Sequence, residues 1–282
     1  MSKSYTKSTL ADFTIELVKS ELRTGSKSYR ADPAINQSFL KDVNSVSPSY
    51  ADYRRLNPEE TPALVFGSAL HTLVLEPLEF NKRYAMLPEC DRRTKEGKAL
   101  YEDFCLSNVG KVVLKSDDVN KLLLMAEKSR SHFESKTSHK SYAEANLFGT
   151  FAVTGGEFKG ETIDVKAQLD MLHVYDDRCV IQDLKSVADI SNVSGASYHS
   201  GWATQSAFYN DLTTFAFRKE SSFEYVAQSK DEPYDVRKFI VSDEMFIKGR
   251  LAFTSAMHKW LWWKKNGKPE TAEFHGNEIL NG

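Results

Sequence analysis

The spacing of apolar residues changes character along this chain, and the changes divide it into elements. Residues 1–32 are rich in Ser, Lys and Thr and read as a flexible arm, in which Leu10, Phe13, Leu17 and Val18 have the spacing of one short amphipathic helix. From Pro33 the pattern is globular: helices are predicted over 37–46 and, opened by Ser47-Pro48, through Tyr53. Residues 62–76 are apolar on most sides, which predicts a buried helix stopped before Pro77. Two further helices are expected at 95–106 and 116–134. After Gly149 short β-like runs take over at 150–154, 162–174 and 179–184, broken by Gly155-Gly156 and Asp176-Asp177. A helix over 197–217, strands at 223–228 and 234–241, and a helix over 243–265 complete the chain. This order predicts one α/β domain over 33–282, with no internal repeat.

Candidate chemistry lies in one hairpin. Acid-x-Lys occurs five times, at Glu96/Lys98, Glu134/Lys136, Glu157/Lys159, Asp164/Lys166 and Asp183/Lys185, so the tripeptide alone carries little. Asp183-Leu184-Lys185 differs because it follows the strand-like Cys179-Val180-Ile181. If Asp176-Asp177 is a two-residue turn, the register places Asp170 opposite Asp183 and Gln168 opposite Lys185. Opposed side chains on paired strands lie about 4.5–5.5 Å apart, where like charges repel. Two carboxylates among apolar residues need a compensating cation; Lys185 supplies one and a divalent metal is the natural second. Carboxylates, a metal and a lysine that orients water are what phosphodiester hydrolysis requires. The bland alternative is a surface hairpin with chance charges. Glu144 and Glu157/Lys159 repeat the same offset, but Gly155, Gly156 and Gly160 flank that copy and no strand fixes it.

Other residues are ordinary singly. Gln205 and Tyr209 share a helical face, where a Tyr is commonly core; His71 has metal-ligand chemistry but sits in a helix that would bury it; Glu144, just ahead of the first strand, is either an oxygen ligand or a charge near a helix end. Arg92, Arg93, Lys95 and Lys98 form a basic stretch that is either a phosphate grip or a solvated loop. Composition narrows the setting. With 37 Lys+Arg against 39 Asp+Glu the chain is no polycation that coats nucleic acid indiscriminately, though a local basic groove stays open. Three distant cysteines (Cys90, Cys105, Cys179) predict a reducing cytoplasm and are one short of a four-thiolate iron–sulfur cluster. No apolar run is long enough to span a membrane, and no membrane association is expected.

Taken in order, Gly67-x-x-x-His71, Asp170, Asp183-x-Lys185 and Gln205-x-x-x-Tyr209 resemble the RecB-like branch of the PD-(D/E)xK nuclease superfamily. Phe66-Gly67-Ser68-Ala69-Leu70-His71, Leu75-Glu76-Pro77, Arg92-Arg93-Thr94-x-x-Gly97-Lys98, Asp183-Leu184-Lys185-Ser186, Gln205-Ser206-Ala207-Phe208-Tyr209 and Glu232-Pro233-Tyr234 are similar to the exonuclease VIII (RecE-type) family. The likeness runs from Pro33 to the C-terminus; Leu169 stands where the superfamily's proline would be, and Met171 where exonuclease VIII has lysine. The resemblance implies a restriction-endonuclease-like core, with a mixed central sheet flanked by helices. It also implies a Mg2+-dependent 5′→3′ exonuclease on double-stranded DNA ends (Mn2+ as substitute), working with a single-strand annealing protein in phage-type recombination. His71, Glu144, Asp170 and Asp183 would be metal ligands, Lys185 would position the nucleophile, and Gln205 and Tyr209 would support the site. A ring-shaped homo-oligomer in a bacterial host cytoplasm follows from the same likeness. A structure-specific endonuclease and a catalytically silent DNA-binding recombination partner remain the alternatives.

Overall fold

Alternation of apolar and polar residues gives the middle of the chain two faces to bury, and each face meets a layer of helices. A computed structural model describes residues 10, 12–23, 26–133, 139–193 and 201–268. The elements run β1 (Ile15–Arg23), α1 (Ser26–Ala31), α2 (Gln37–Ser45), α3 (Pro48–Leu56), α4 (Pro62–Leu75), α5 (Pro77–Arg83) and β2 (Tyr84–Met86). There follow α6 (Lys95–Ser107), β3 (Val112–Leu114), α7 (Ser116–Arg130), β4 (Lys140–Val153), β5 (Thr162–Val174) and β6 (Arg178–Val187). The last are α8 (Trp202–Phe217), β7 (Glu220–Ser229), β8 (Val236–Ile240) and α9 (Asp243–Lys265).

The main sheet has six strands in the order β1-β4-β5-β6-β7-β8. All neighbours are antiparallel except β6 and β7, which are parallel and connected through the segment carrying α8. Phe223, Tyr225 and Ala227 of β7 enter the core shared with α2, α8 and α9, while Val226 enters a second core with α4 and α7. The result is a helix/sheet/helix sandwich, the mixed flanked sheet expected for the fold class. Polar caps start the helices where the sequence signals them. Asn36 accepts from Phe39 N–H (2.9 Å), Ser47 from Tyr50 N–H (3.0 Å) and Thr94 from Gly97 N–H (3.0 Å), each stabilising its helix by about 1 kcal/mol.

Three expectations need correction. The helix expected around Leu10–Val18 is not formed: Ile15–Arg23 is an edge strand laid antiparallel on β4, so this part of the arm belongs to the sheet. Its polar residues alternate on an edge strand that faces solvent on one side, a pattern the Ser/Lys/Thr-rich composition disguised. Strand β4 begins at Lys140, well before the expected start at Thr150, and Glu144 therefore lies inside a strand. Helix α4 is buried only in its second half, at Ala69, Leu70 and Thr72–Leu75; Leu64 in its first turn is 52% exposed. The predicted helix start at 197 lies outside the described residues, whereas α9 spans the predicted 243–265. Among the described residues no helix is long and apolar enough to cross a membrane.

Candidate active site

The hairpin β5–β6 has the register read from the sequence. Val174 pairs with Cys179, His173 with Val180, Leu172 with Ile181 and Met171 with Gln182, around a turn at Asp176-Asp177 closed by Tyr175 N–H to the Arg178 carbonyl (2.9 Å). The ladder stops one pair short of Asp170 and Asp183. There the Asp170 carboxylate replaces the missing strand contact, with Oδ2 accepting the Leu184 N–H at 2.7 Å. The predicted pairing of Gln168 with Lys185 does not form; Gln168 pairs with Asn146 of β4.

On its other side β5 meets β4, and Glu144 falls between the pairs Ala143–Met171 and Ala145–Leu169, directly across from Asp170. Its backbone is left-handed, at φ +49°. A non-glycine residue held there costs about 1–3 kcal/mol and persists only where its surroundings impose it. The distortion turns the Glu144 carboxylate toward His71, delivered by the buried half of α4 with Nδ1 3.3 Å from Asp170 Oδ2. One ligand atom each from His71, Glu144 and Asp170 lie within 4.8 Å of one another. An imidazole and two carboxylates are a donor set that suits a divalent cation, with waters completing its shell.

Electrostatics follow from this crowding. Burial raises the Glu144 carboxyl to about 7, and the Asp170 charge adds to the shift while His71 opposes it. For His71 burial works against the proton, but the Asp170 carboxylate outweighs it and raises the imidazole to about 9. Asp170 is also pushed up by burial, yet His71, Lys185 and the Leu184 N–H together hold it below the usual range.

Asp183 is almost fully buried, at 1% exposure, and stands beside this cluster. Lys185 Nζ closes on its Oδ1, and Gln205 Nε2 of α8 donates to Oδ2 at 2.6 Å. Burial raises Asp183 to about 6, partly offset by Lys185. Tyr209, one turn after Gln205, is buried, and desolvation holds its phenol well above the usual range, hence neutral. The structure thus brings His71, Glu144 and Asp170 together as a candidate ligand set, and Asp183, Lys185, Gln205 and Tyr209 into an adjoining group. Arg92, Arg93, Lys95 and Lys98 are exposed around the start of α6, with the Arg92 guanidinium 4.8 Å from the Tyr101 ring centre. Glu157 and Lys159 lie in the exposed turn before β5, as the flanking glycines suggested.

Sequence reasoning missed two neighbours of the site. Glu76 pairs with Arg83 at 2.8 Å, and their charges act on Glu144 in opposite directions. Leu75-Glu76-Pro77 was visible as a motif, but nothing in it announced that the carboxylate would face β4. Tyr29 of α1 was hidden in the supposed arm; its ring centre lies 6.1 Å from that of Phe148, and burial, with a smaller contribution from the Glu144 charge, raises its phenol to about 12.

The six-stranded mixed sheet, the helical layers and the carboxylate pair beside a lysine define a domain of the PD-(D/E)xK nuclease superfamily. Within it, residues 38–275 match the family described as a PDDEXK-like domain of unknown function (DUF3799), and the chain belongs to that family. A solved structure of a provisionally described exonuclease from Eubacterium rectale shares the fold, with TM-score 0.56 and 16% identity over 92% of this chain and 95% of that one. The structure of SSO0001 aligns with TM-score 0.29 and 15% identity over 68% of this chain and 86% of that one, and adds no support. No curated protein matches the sequence.

Proposed function

We propose that this protein is a metal-dependent exodeoxyribonuclease that degrades linear double-stranded DNA 5′→3′ and leaves 3′ single-stranded tails. The observation that carries the reading is the convergence of His71, Glu144 and Asp170 beside the Asp183–Lys185–Gln205 group. The description of the Eubacterium rectale protein as an exonuclease supports the exonuclease assignment, and the 5′→3′ polarity is what the resemblance to exonuclease VIII implies.

Bound at His71, Glu144 and Asp170, with Asp183 as a further oxygen ligand, Mg2+ (or Mn2+) would polarise the scissile phosphate and acidify a water. The chain's own groups do the rest. Lys185 presents its ammonium at the edge of the cluster, where it orients the attacking water and balances charge on the phosphate. Gln205 fixes the Asp183 carboxylate by donating to one oxygen, leaving the other to Lys185. Tyr209, buried one turn beyond Gln205, stays neutral. Arg92, Arg93, Lys95 and Lys98 grip duplex phosphates without reading sequence. In this reading the protein works as a ring-shaped homo-oligomer with a single-strand annealing protein, in the cytoplasm of a bacterial host.

The test uses linear and covalently closed duplex DNA with Mg2+, and compares wild type with Lys185→Ala. Degradation of linear DNA alone, lost in the variant, is the expected result. Cutting of the closed circle would replace the exonuclease by an endonuclease. Survival of both substrates would reduce the protein to DNA binding.

A further inference from the structure

Three residues beyond Asp170, toward the hairpin turn, β5 carries His173, which is 4% exposed. It pairs across the ladder with Ser141 of β4, and His139 stands just ahead of that strand. His139 Nε2 lies 3.0 Å from His173 Nδ1; Ser141 Oγ lies 3.0 Å from the first nitrogen and 2.8 Å from the second. Three potential ligand atoms on two strands therefore form a triangle with edges near a single length. Donors about 2.0–2.1 Å from one cation are separated by about 2.9 Å at a right angle and about 3.4 Å at a tetrahedral angle, so a cation here requires the three atoms to part by no more than about half an ångström.

The hydrogen bonds behind the triangle fix the state of His173. Gln182 Nε2 donates to the Glu224 carboxylate at 2.7 Å and to the His132 carbonyl at 3.1 Å, neither of which can donate in return. Gln182 Oε1 is therefore the acceptor for His173 Nε2–H at 3.0 Å, and Lys238 anchors the far end through Glu224 at 3.2 Å. His173 Nδ1 is left with a bare, in-plane lone pair. In the metal-free state the Ser141 hydroxyl donates to His173 Nδ1 at 2.8 Å and accepts from His139 Nε2–H at 3.0 Å, so a cation takes the place of the two protons of this relay. Burial also disfavours the charged imidazole, keeping that lone pair available. A histidine whose second nitrogen is held by an outer hydrogen bond is the usual arrangement of a metal ligand.

We propose that His139, His173 and Ser141 form a second metal site, separate from the carboxylate cluster, for a divalent d-block cation of the Zn2+ class. Imidazole nitrogens favour such cations over Mg2+, which prefers oxygen, so the two sites differ in selectivity. The half-exposed His139 opens the site to solvent, which supplies the remaining ligands. A cation there ties the start of β4 to the end of β5.

The full chain is dialysed against Zn2+ and its metal content measured for wild type, His71→Ala, His139→Ala and His173→Gln. His139→Ala is the decisive variant because its half-exposed position tolerates truncation whether or not His173→Gln folds. Wild type should bind one more Zn2+ than His139→Ala, and His71→Ala should retain that ion. With Cu2+ as the probe, electron paramagnetic resonance should show coupling to two imidazole nitrogens, lost in His139→Ala. Mg2+-dependent DNA cleavage by His139→Ala should stay at the wild-type level. Equal Zn2+ content in wild type and His139→Ala, or an ion lost only with His71, would overturn the proposal.

Discussion

Replacing Glu144 by Gln should stabilise the metal-free protein at alkaline pH and destroy its response to metal. The carboxyl is raised from the usual 4.5 to about 7 because burial and the Asp170 charge both oppose its ionisation. Below pH 4.5 it is protonated in folded and unfolded chains alike and contributes nothing to pH dependence. As pH rises from 4.5 to about 7 the unfolded chain gives up the proton first, so the folded state loses stability across that window. At about 1.4 kcal/mol per pKa unit the loss is about 3.5 kcal/mol, which partial contact with water reduces to about 2 kcal/mol. Gln keeps the size, hydrogen-bonding capacity and left-handed backbone of the residue while removing the charge. Urea unfolding in EDTA at about pH 5 and about pH 8 should therefore show a fall in stability about 2 kcal/mol larger for wild type than for Glu144→Gln. Adding Mg2+ at the higher pH should restore the wild type and leave the variant unchanged. Equal pH dependence in the two proteins would show that Glu144 is not held against its charge, and would remove it from the ligand set.

Metal uptake should release protons near neutral pH, since Glu144 at about 7 and Asp183 at about 6 must ionise; calorimetric heats that do not change with buffer ionisation enthalpy would contradict this. Gln205→Leu removes the amide that donates to Asp183 Oδ2, and should cost about 1–3 kcal/mol in urea unfolding and lower cleavage at saturating metal. A Cβ at Gly249 would lie 2.0 Å from the Ala203 carbonyl oxygen, so Gly249→Ala must push α9 from α8 and should destabilise the protein by about 1–3 kcal/mol. Arg92→Ala and Arg93→Ala should each lower the slope of log affinity for duplex DNA against log salt by about 1, with no change in the metal titration.

The hairpin was legible because its signals are local. Two acidic turn residues fix the register, and period two carries it back along both strands as far as Met171 and Gln182, so that Asp170 and Asp183 would be neighbours needed no knowledge of distant chain. The helix carrying Gln205 and Tyr209 was equally plain, and both residues, read as sharing one face, are buried on it. Contacts between distant segments were not legible. Nothing near Glu144 states that it will oppose Asp170 with φ +49°, because that conformation is imposed by the strands and the site together. The order of motifs, rather than the spacing within any one, brought His71 into the reading. β1 was lost because an edge strand with one solvated face has no continuous apolar run, and the scattered apolar residues of 10–18 fit a helix as well.

That edge strand sets where the molecule can be cut. The family match begins at residue 38, yet the sheet begins at Ile15, whose partner in the ladder is Val153. A chain trimmed to the matched region would strip β4 of its neighbour from Asn146 to Val153 and leave a row of unsatisfied amides and carbonyls. It would also uncover Phe151, now 4% exposed, and free an edge able to recruit strands from other molecules. Poor solubility of such a fragment would then report a missing border strand and say nothing about the catalytic residues.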